Sequence, residues 1–174
     1  MPLGRELEQA SIHVVAGHSL VVPLIIQRLP PFASALGRRW QRKREFHLTA
    51  VPARLIDGLS GPREQIWDRV AEVASGRRLG PIRARRELRR VSDPEEPALQ
   101  TLIVMADCPG LEELYDELSR VLGAELSPPP AHVTLYSTDP AAGIGIVDEA
   151  ELKARAPALG EAEQAELRRA LAMR

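Results

Sequence analysis

Phe46-His47-Leu48-Thr49-Ala50 and Ala131-His132-Val133-Thr134-Leu135 read almost alike, each setting a His-x-Thr triplet in an apolar run. The chain holds only four histidines and four threonines, so the two triplets take half of each. Both stretches predict β-strands. Successive strand side chains point to opposite faces, so His47 and Thr49 share one side of the first strand, and Phe46, Leu48 and Ala50 share the other. In the second strand His132, Thr134 and Tyr136 fall on one side, and Ala131, Val133 and Leu135 on the other. The wholly apolar sides suit a helix layer, which leaves each His beside a hydroxyl on the more open side.

Working outward, the elements between the triplets alternate in kind. Arg63 to Ser75 places Ile66, Trp67, Val70, Val73 and Ala74 on one helical face, stopped by Gly76, with Trp67 read as core. Ile82 to Val91 and Leu99 to Ala106 predict a hairpin around the acidic, Pro-bearing turn at Ser92 to Pro97. The first of these strands carries Arg83, Arg85, Arg86, Arg89 and Arg90. It reads either as an edge strand whose charges block edge pairing or as a lip for phosphates. Leu111 to Leu122 has the helical period and ends at Gly123.

The flanks are less decided. Ser11 to Ala16 predicts a strand turning at Gly17, whereas Leu20 to Ile26 suits a strand or a short helix; His13 and His18 are read as surface or half-buried histidines. Arg38-Arg39-Trp40-Gln41-Arg42-Lys43-Arg44 reads as a solvated face, or as a basic rim that draws a phosphate chain to the neighbouring cleft with Trp40 stacked on a base. Asp139 to Gly145 is a loop, and the tail from 149 to 174 predicts one or two outer helices. The order after the N-terminal segments fits a duplicated α+β unit, strands inside and helices outside.

Composition narrows the function classes. At 174 residues the chain suits a single domain, 1–174, either with one substantial core or of two similar lobes. Twenty-three Lys and Arg against 24 Asp and Glu give a formal charge of −1, so no global basic field argues for tight duplex binding. The single cysteine, Cys108, excludes an internal disulfide and a Cys-rich zinc site, fits a reducing compartment, and reads as a small buried residue. No stretch reads as a signal peptide or a membrane span. A cytoplasmic monomer with no membrane association is the expectation.

Two imidazoles on facing strands suit acid–base chemistry, because unperturbed His titrates near ~6.5. One can take a proton from an attacking hydroxyl or water while the other gives one to the leaving oxygen, and the Thr hydroxyls can hold non-bridging phosphate oxygens. A metal reading is weaker: each triplet offers one nitrogen, no acidic residue shares its strand face, and helical His spacing is missing. No Ser stands in a nucleophile elbow.

The paired His47-x-Thr49 and His132-x-Thr134, each in an apolar setting, resemble the 2H phosphoesterase superfamily, which includes RNA 2′,3′-cyclic phosphodiesterases and 2′–5′ RNA ligase-like proteins. The resemblance spans roughly Ser11 to Asp139, and its specific part is the two tetrapeptides. It implies a two-lobed, pseudo-symmetric α+β fold, with a cleft between two antiparallel sheets and no metal or other cofactor. His47 and His132 then match the acid/base pair, and Thr49 and Thr134 the phosphate-holding hydroxyls. The ligase-like branch often has Arg three residues after the second Thr, where this chain has Ser137; Tyr136 is the candidate contact to base or phosphate instead. The implied substrate is a 2′,3′-cyclic phosphate on an RNA end or a small nucleotide, with the reverse ligation open. A nucleotide-binding module without catalysis and an interaction domain with merely structural triplets are the alternatives.

Overall fold

The computed structural model describes residues 6–15 and 19–173, so the expected turn at Gly17 and the histidine at 18 lie outside the described residues. The strands are β1 (Glu8–Gln9), β2 (His13–Val15), β3 (Ser19–Ile25), β4 (Phe32–Ala35), β5 (Arg38–Arg42), β6 (Phe46–Pro52), β7 (Arg83–Ser92), β8 (Gln100–Asp107) and β9 (His132–Ser137). The helices are α1 (Ala53–Asp57), α2 (Arg63–Ala74), α3 (Gly110–Leu122), α4 (Glu149–Arg155) and α5 (Glu161–Ala170). The fold is α+β, with the antiparallel strands curled into a half-barrel. Among the described residues no helix is long and apolar enough to cross a membrane.

Where two separate sheets were expected, the strands form one hydrogen-bonded sheet. β1 and β2 pair with β3, β3 with β6, β6 with β9, β9 with β8, and β8 with β7. The physical reason is the direct pairing of the two triplet strands, Leu48 facing Val133, which joins the halves along a seam. β5 pairs with the far end of β9, Gln41 facing Ser137 and Arg42 facing Tyr136. Since β8 takes the other edge of β9, β5 and β6 follow one another along the same edge. Lys43, Arg44 and Glu45 bridge them in a register shift, with the Lys43 N–H still donating to the Leu135 carbonyl at 2.9 Å.

One face of the sheet carries the main core. Leu20, Val22, Leu48, Ala50, Val133 and Leu135 pack there against Ile66, Trp67 and Val70 of α2, Leu111, Leu114 and Leu118 of α3, and Leu167 and Leu171 around α5. The predicted α2 stripe, Trp67 included, is thus in the core. Helix α3 stops at Gly123, whose φ of +65° is the left-handed turn glycine accepts without penalty. Tyr115 of the same helix donates to the Ala50 carbonyl at 3.0 Å, fixing α3 to the first triplet strand. Cys108 is buried, and burial pushes its thiol up to about 11.

Three further expectations resolve here. The segment beginning at Leu20 is strand, because it lies between β1/β2 and β6 and completes their pairing. The basic run is a strand: Arg38–Arg42 is β5, paired with β4 through a turn at Leu36 (φ +53°) and Gly37 (φ +68°). These two positive φ values mark the two-residue hairpin turn that matches strand twist, and Leu36 gives no sequence signal for it. Alternation then sends Trp40 inward, fully buried, its Nε1–H donating to the Ala35 carbonyl at 2.9 Å. Trp40 is therefore not available for base stacking.

The tail is two helices, but they do not lie on the same side. Helix α5 packs with the main core. The Leu152 side chain of α4 joins Ile144, Ile146, Ala156, Val91, Ile103 and Met105 in a second cluster on the opposite face. Strand β7 pairs with β8 and, apart from a bridge between Arg83 and Glu6 at its start, forms an edge among the described residues. Its Arg85 pairs with Asp107 and its Arg89 with Glu87, which fits the edge-protecting reading.

Candidate active site

The four triplet residues meet at the β6–β9 seam. Leu48 and Val133 are direct antiparallel partners, and both are fully buried in the main core. Directly opposed residues share a face, so their neighbours in each strand emerge together on the other face. One step either side of that pair brings His47 beside Thr134 and Thr49 beside His132. The cell has a local two-fold axis through the Leu48–Val133 pair, exchanging His with His and Thr with Thr. On ordinary sheet geometry its opposed Cβ atoms lie about 5 Å apart and its diagonals about 7–8 Å; the two imidazoles occupy one diagonal and the two hydroxyls the other.

The surroundings extend the same face. Val21 lies opposite Thr49 and Pro23 opposite His47 on the β3 side, while Ile103 lies opposite Thr134 and Met105 opposite His132 on the β8 side. Ile103 and Met105 are covered by Ile144, Ile146 and Leu152, so the loop after β9 and helix α4 wall one flank.

The two histidines are not equivalent in environment. His132 is only 8% exposed, whereas His47 is exposed at the mouth of the site. The Nδ1 of His132 is 2.7 Å from the Pro130 carbonyl. A carbonyl can only accept, so Nδ1 carries the hydrogen, and Nε2 is the nitrogen that exchanges protons. Burial holds the His132 imidazole below its ordinary range; the Pro130 bond opposes this and the charge of His47 adds to it. His47 is also held low, by desolvation first and then by the ammonium of Lys43, with His13 adding and Glu45 opposing. The mutual repulsion disfavours two imidazolium ions at once, which suits a pair in which one ring holds the proton and the other lacks it.

Lys43 had been read only as part of the basic run. Its ammonium donates to the Pro140 carbonyl at 2.7 Å and the Ala142 carbonyl at 2.8 Å. It thereby ties the loop after β9 to the bulge that leads into His47. Burial lowers the Lys43 pKa, opposed by Asp139 and Glu45. His13, read as an ordinary histidine, lies on β2 opposite Val21, and its charge reaches His47. Neither relation leaves a local trace in the sequence, because both depend on which strands are neighbours.

The structure does not bring Tyr136 to the site. The β8–β9 register shifts between Leu102 and Ile103, so that Leu102 faces Tyr136 and Ile103 faces Thr134. This irregularity breaks the alternation that would have set Tyr136 beside Thr134. Tyr136 is fully buried in the main core, its hydroxyl donating to the Pro30 carbonyl at 2.7 Å and its pKa pushed up to about 12 by burial.

Thr49 and Thr134 are half-buried, and among the described residues neither hydroxyl has a hydrogen-bond partner. They are therefore free to donate to a bound oxygen. A separate recess of about 530 Å³ opens beside the start of β9, lined by residues including Met105, Asp107, Cys108, Glu112 and Pro130. None of the four triplet residues lines it, so the site is an open shelf next to this recess. Among the described residues no three or more His, Cys, Asp or Glu side chains converge as a metal-binding group. Comparison with protein-family models, with curated proteins and with solved structures gives no match.

Proposed function

We propose that the protein is a phosphoesterase of the 2H type, opening 2′,3′-cyclic phosphates on RNA ends or nucleotides by acid–base catalysis between His47 and His132. In this reading the halves on either side of the β6–β9 seam are its two pseudo-symmetric lobes. The observation that supports it is the Leu48–Val133 pairing, from which strand alternation puts both imidazoles and both threonine hydroxyls on the same face of the seam.

The chemistry follows from the groups present. The cyclic phosphate lies over the cell, with Thr49 and Thr134 donating to its non-bridging oxygens. A neutral imidazole takes a proton from water as the water oxygen bonds to phosphorus. The protonated partner delivers its proton to the ribose oxygen as that P–O bond breaks. His132 acts through Nε2, since Nδ1 is held by Pro130. With a 5′-hydroxyl attacking phosphorus in place of water, the same groups pass its proton to the departing ribose oxygen, and the step becomes a ligation.

The test is incubation, with chelator present, with 2′,3′-cyclic nucleotides and with cyclic-phosphate-ended RNA. The expected result is conversion to a phosphomonoester, reduced at least about 100-fold in His47→Ala and in His132→Ala. Absence of conversion on both substrates, or undiminished turnover by the two variants, sinks the reading. Nucleotide binding without turnover in the parent protein would assign a binding module instead.

A further inference from the structure

The hairpin β4–β5 carries the basic run outward along the side of the sheet that bears the four site residues. Trp40 and Ala33 face one another and are buried in the main core. Alternation therefore turns Arg39 and Gln41 of β5, with Phe32 and Ser34 of β4, to the other side, the side of His47 and Thr134. Gln41 pairs with Ser137, further along β9 from Thr134, and Phe32 sits one strand beyond. Strand spacing puts Phe32 about 10 Å along the sheet and about 5 Å across from that end of the cell. That is past the reacting phosphate and at the adjoining part of a longer substrate.

Two properties of this surface call for a ligand. Phe32 is 46% exposed, a large apolar side chain left in water, and the guanidinium of Arg39 lies 4.3 Å from its ring centroid. The guanidinium of Arg39 is also without a carboxylate partner among the described residues. Arg54, Arg63, Arg77, Arg85, Arg89 and Arg155 each meet a carboxylate. Among the described residues Arg39 and Arg44 meet none, as do several arginines elsewhere; Arg38 and Arg42 fall on the Trp40 side of the strand. In a chain of net charge −1, Arg39 is a local positive charge held against an exposed aromatic ring, the pairing that grips unpaired nucleic acid through phosphates and base faces.

We propose that the Phe32–Arg39 surface docks single-stranded RNA, the chain leading into the reacting 3′ end. Phe32 stacks on a base, and Arg39 braces the ring and meets phosphate. Placing the 3′ end over His47 and His132 rests on the phosphoesterase reading; the docking surface does not.

The experiment measures two things in the parent protein, Phe32→Ala, Phe32→Trp and Arg39→Glu. One is binding of a short fluorescein-labelled single-stranded RNA with an ordinary 3′-hydroxyl, which cannot be turned over, at several salt concentrations. The other is kcat and KM for a cyclic mononucleotide and for the same RNA ending in a cyclic phosphate. Phe32→Ala and Arg39→Glu should weaken RNA binding roughly 5- to 100-fold, with parental binding falling as salt rises. The RNA-end KM should rise in step while the mononucleotide constants stay unchanged, and Phe32→Trp should retain binding. If Phe32→Ala and Arg39→Glu leave RNA binding unaltered, or raise KM equally for both substrates, the docking surface is wrong. If the parent turns over neither substrate but binds RNA through Phe32, the surface stands and the phosphoesterase reading falls.

Discussion

Leu48 and Val133, the central residues of the two His-x-Thr triplets, face one another across the β6–β9 pair, and neither exposes any surface. Their contact sets the spacing of everything on the opposite side of the seam. Leu48→Ala should cost roughly 2–5 kcal/mol of folding stability, as expected for a fully buried leucine, read as a lower midpoint in urea. Activity on a cyclic nucleotide should also fall at temperatures where the variant remains folded, because the cell loses its floor.

The charges around His47 predict shifts of opposite sign. The Lys43 ammonium lowers the His47 pKa and the Glu45 carboxylate raises it, with His13 adding to the lowering; His132 lies across the cell. In an NMR titration, Lys43→Met should move the His47 midpoint up and Glu45→Gln should move it down. A purely conformational effect of losing the Lys43 ties to Pro140 and Ala142 gives no reason for the two variants to diverge.

His132 makes stability depend on pH. In the unfolded chain its imidazole titrates near ~6.5, and in the fold burial holds it lower. Below that value the unfolded chain binds the proton more readily than the folded one, so stability is lost as pH falls through the window. His47 acts in the same sense. Urea midpoints should be lower near about pH 5.5 than above about pH 7, and His132→Asn should shrink the difference.

Each threonine should contribute through its hydroxyl alone. Thr49→Val and Thr134→Val keep the shape and remove the donor to phosphate, so each should lower kcat/KM roughly tenfold or more. Their urea midpoints should stay close to the parent's, since among the described residues neither hydroxyl has a partner to lose.

Gly110, the first residue of α3, packs against Leu79 so closely that an added Cβ would overlap the Leu79 carbonyl and its backbone neighbours. Backbone cannot move aside as a flexible side chain can, so Gly110→Ala should destabilise by about 1–3 kcal/mol or more, despite alanine's better helix propensity. The check is a urea unfolding curve.

Local periodicity made much of this legible in advance. The alternation at 46–50 and 131–135, the stripes of α2 and α3, the stop at Gly123 and the β7–β8 hairpin all rest on relations within a few residues. Those relations are visible because strand and helix periods are properties of a single segment. The misread parts depend on something outside the segment. Trp40 lay in a run that composition made look like surface, and only its pairing with Ala33 turned it inward. Tyr136 obeys alternation on paper and breaks it because β9 carries an extra residue, Leu135, between the partners of Leu102 and Ile103.

The sequence by itself therefore determined two strands, each with an apolar face and a His and a Thr on the reverse. That β6 and β9 are neighbours, that their register centres on Leu48 and Val133, and that Lys43 reaches His47's surroundings were decided only by the tertiary structure. The reason is the range of the interactions. Side-chain alternation is set by the pleat of one strand, whereas register is set by pairing between strands far apart in the chain, where a slip of one residue would send every side chain to the wrong face.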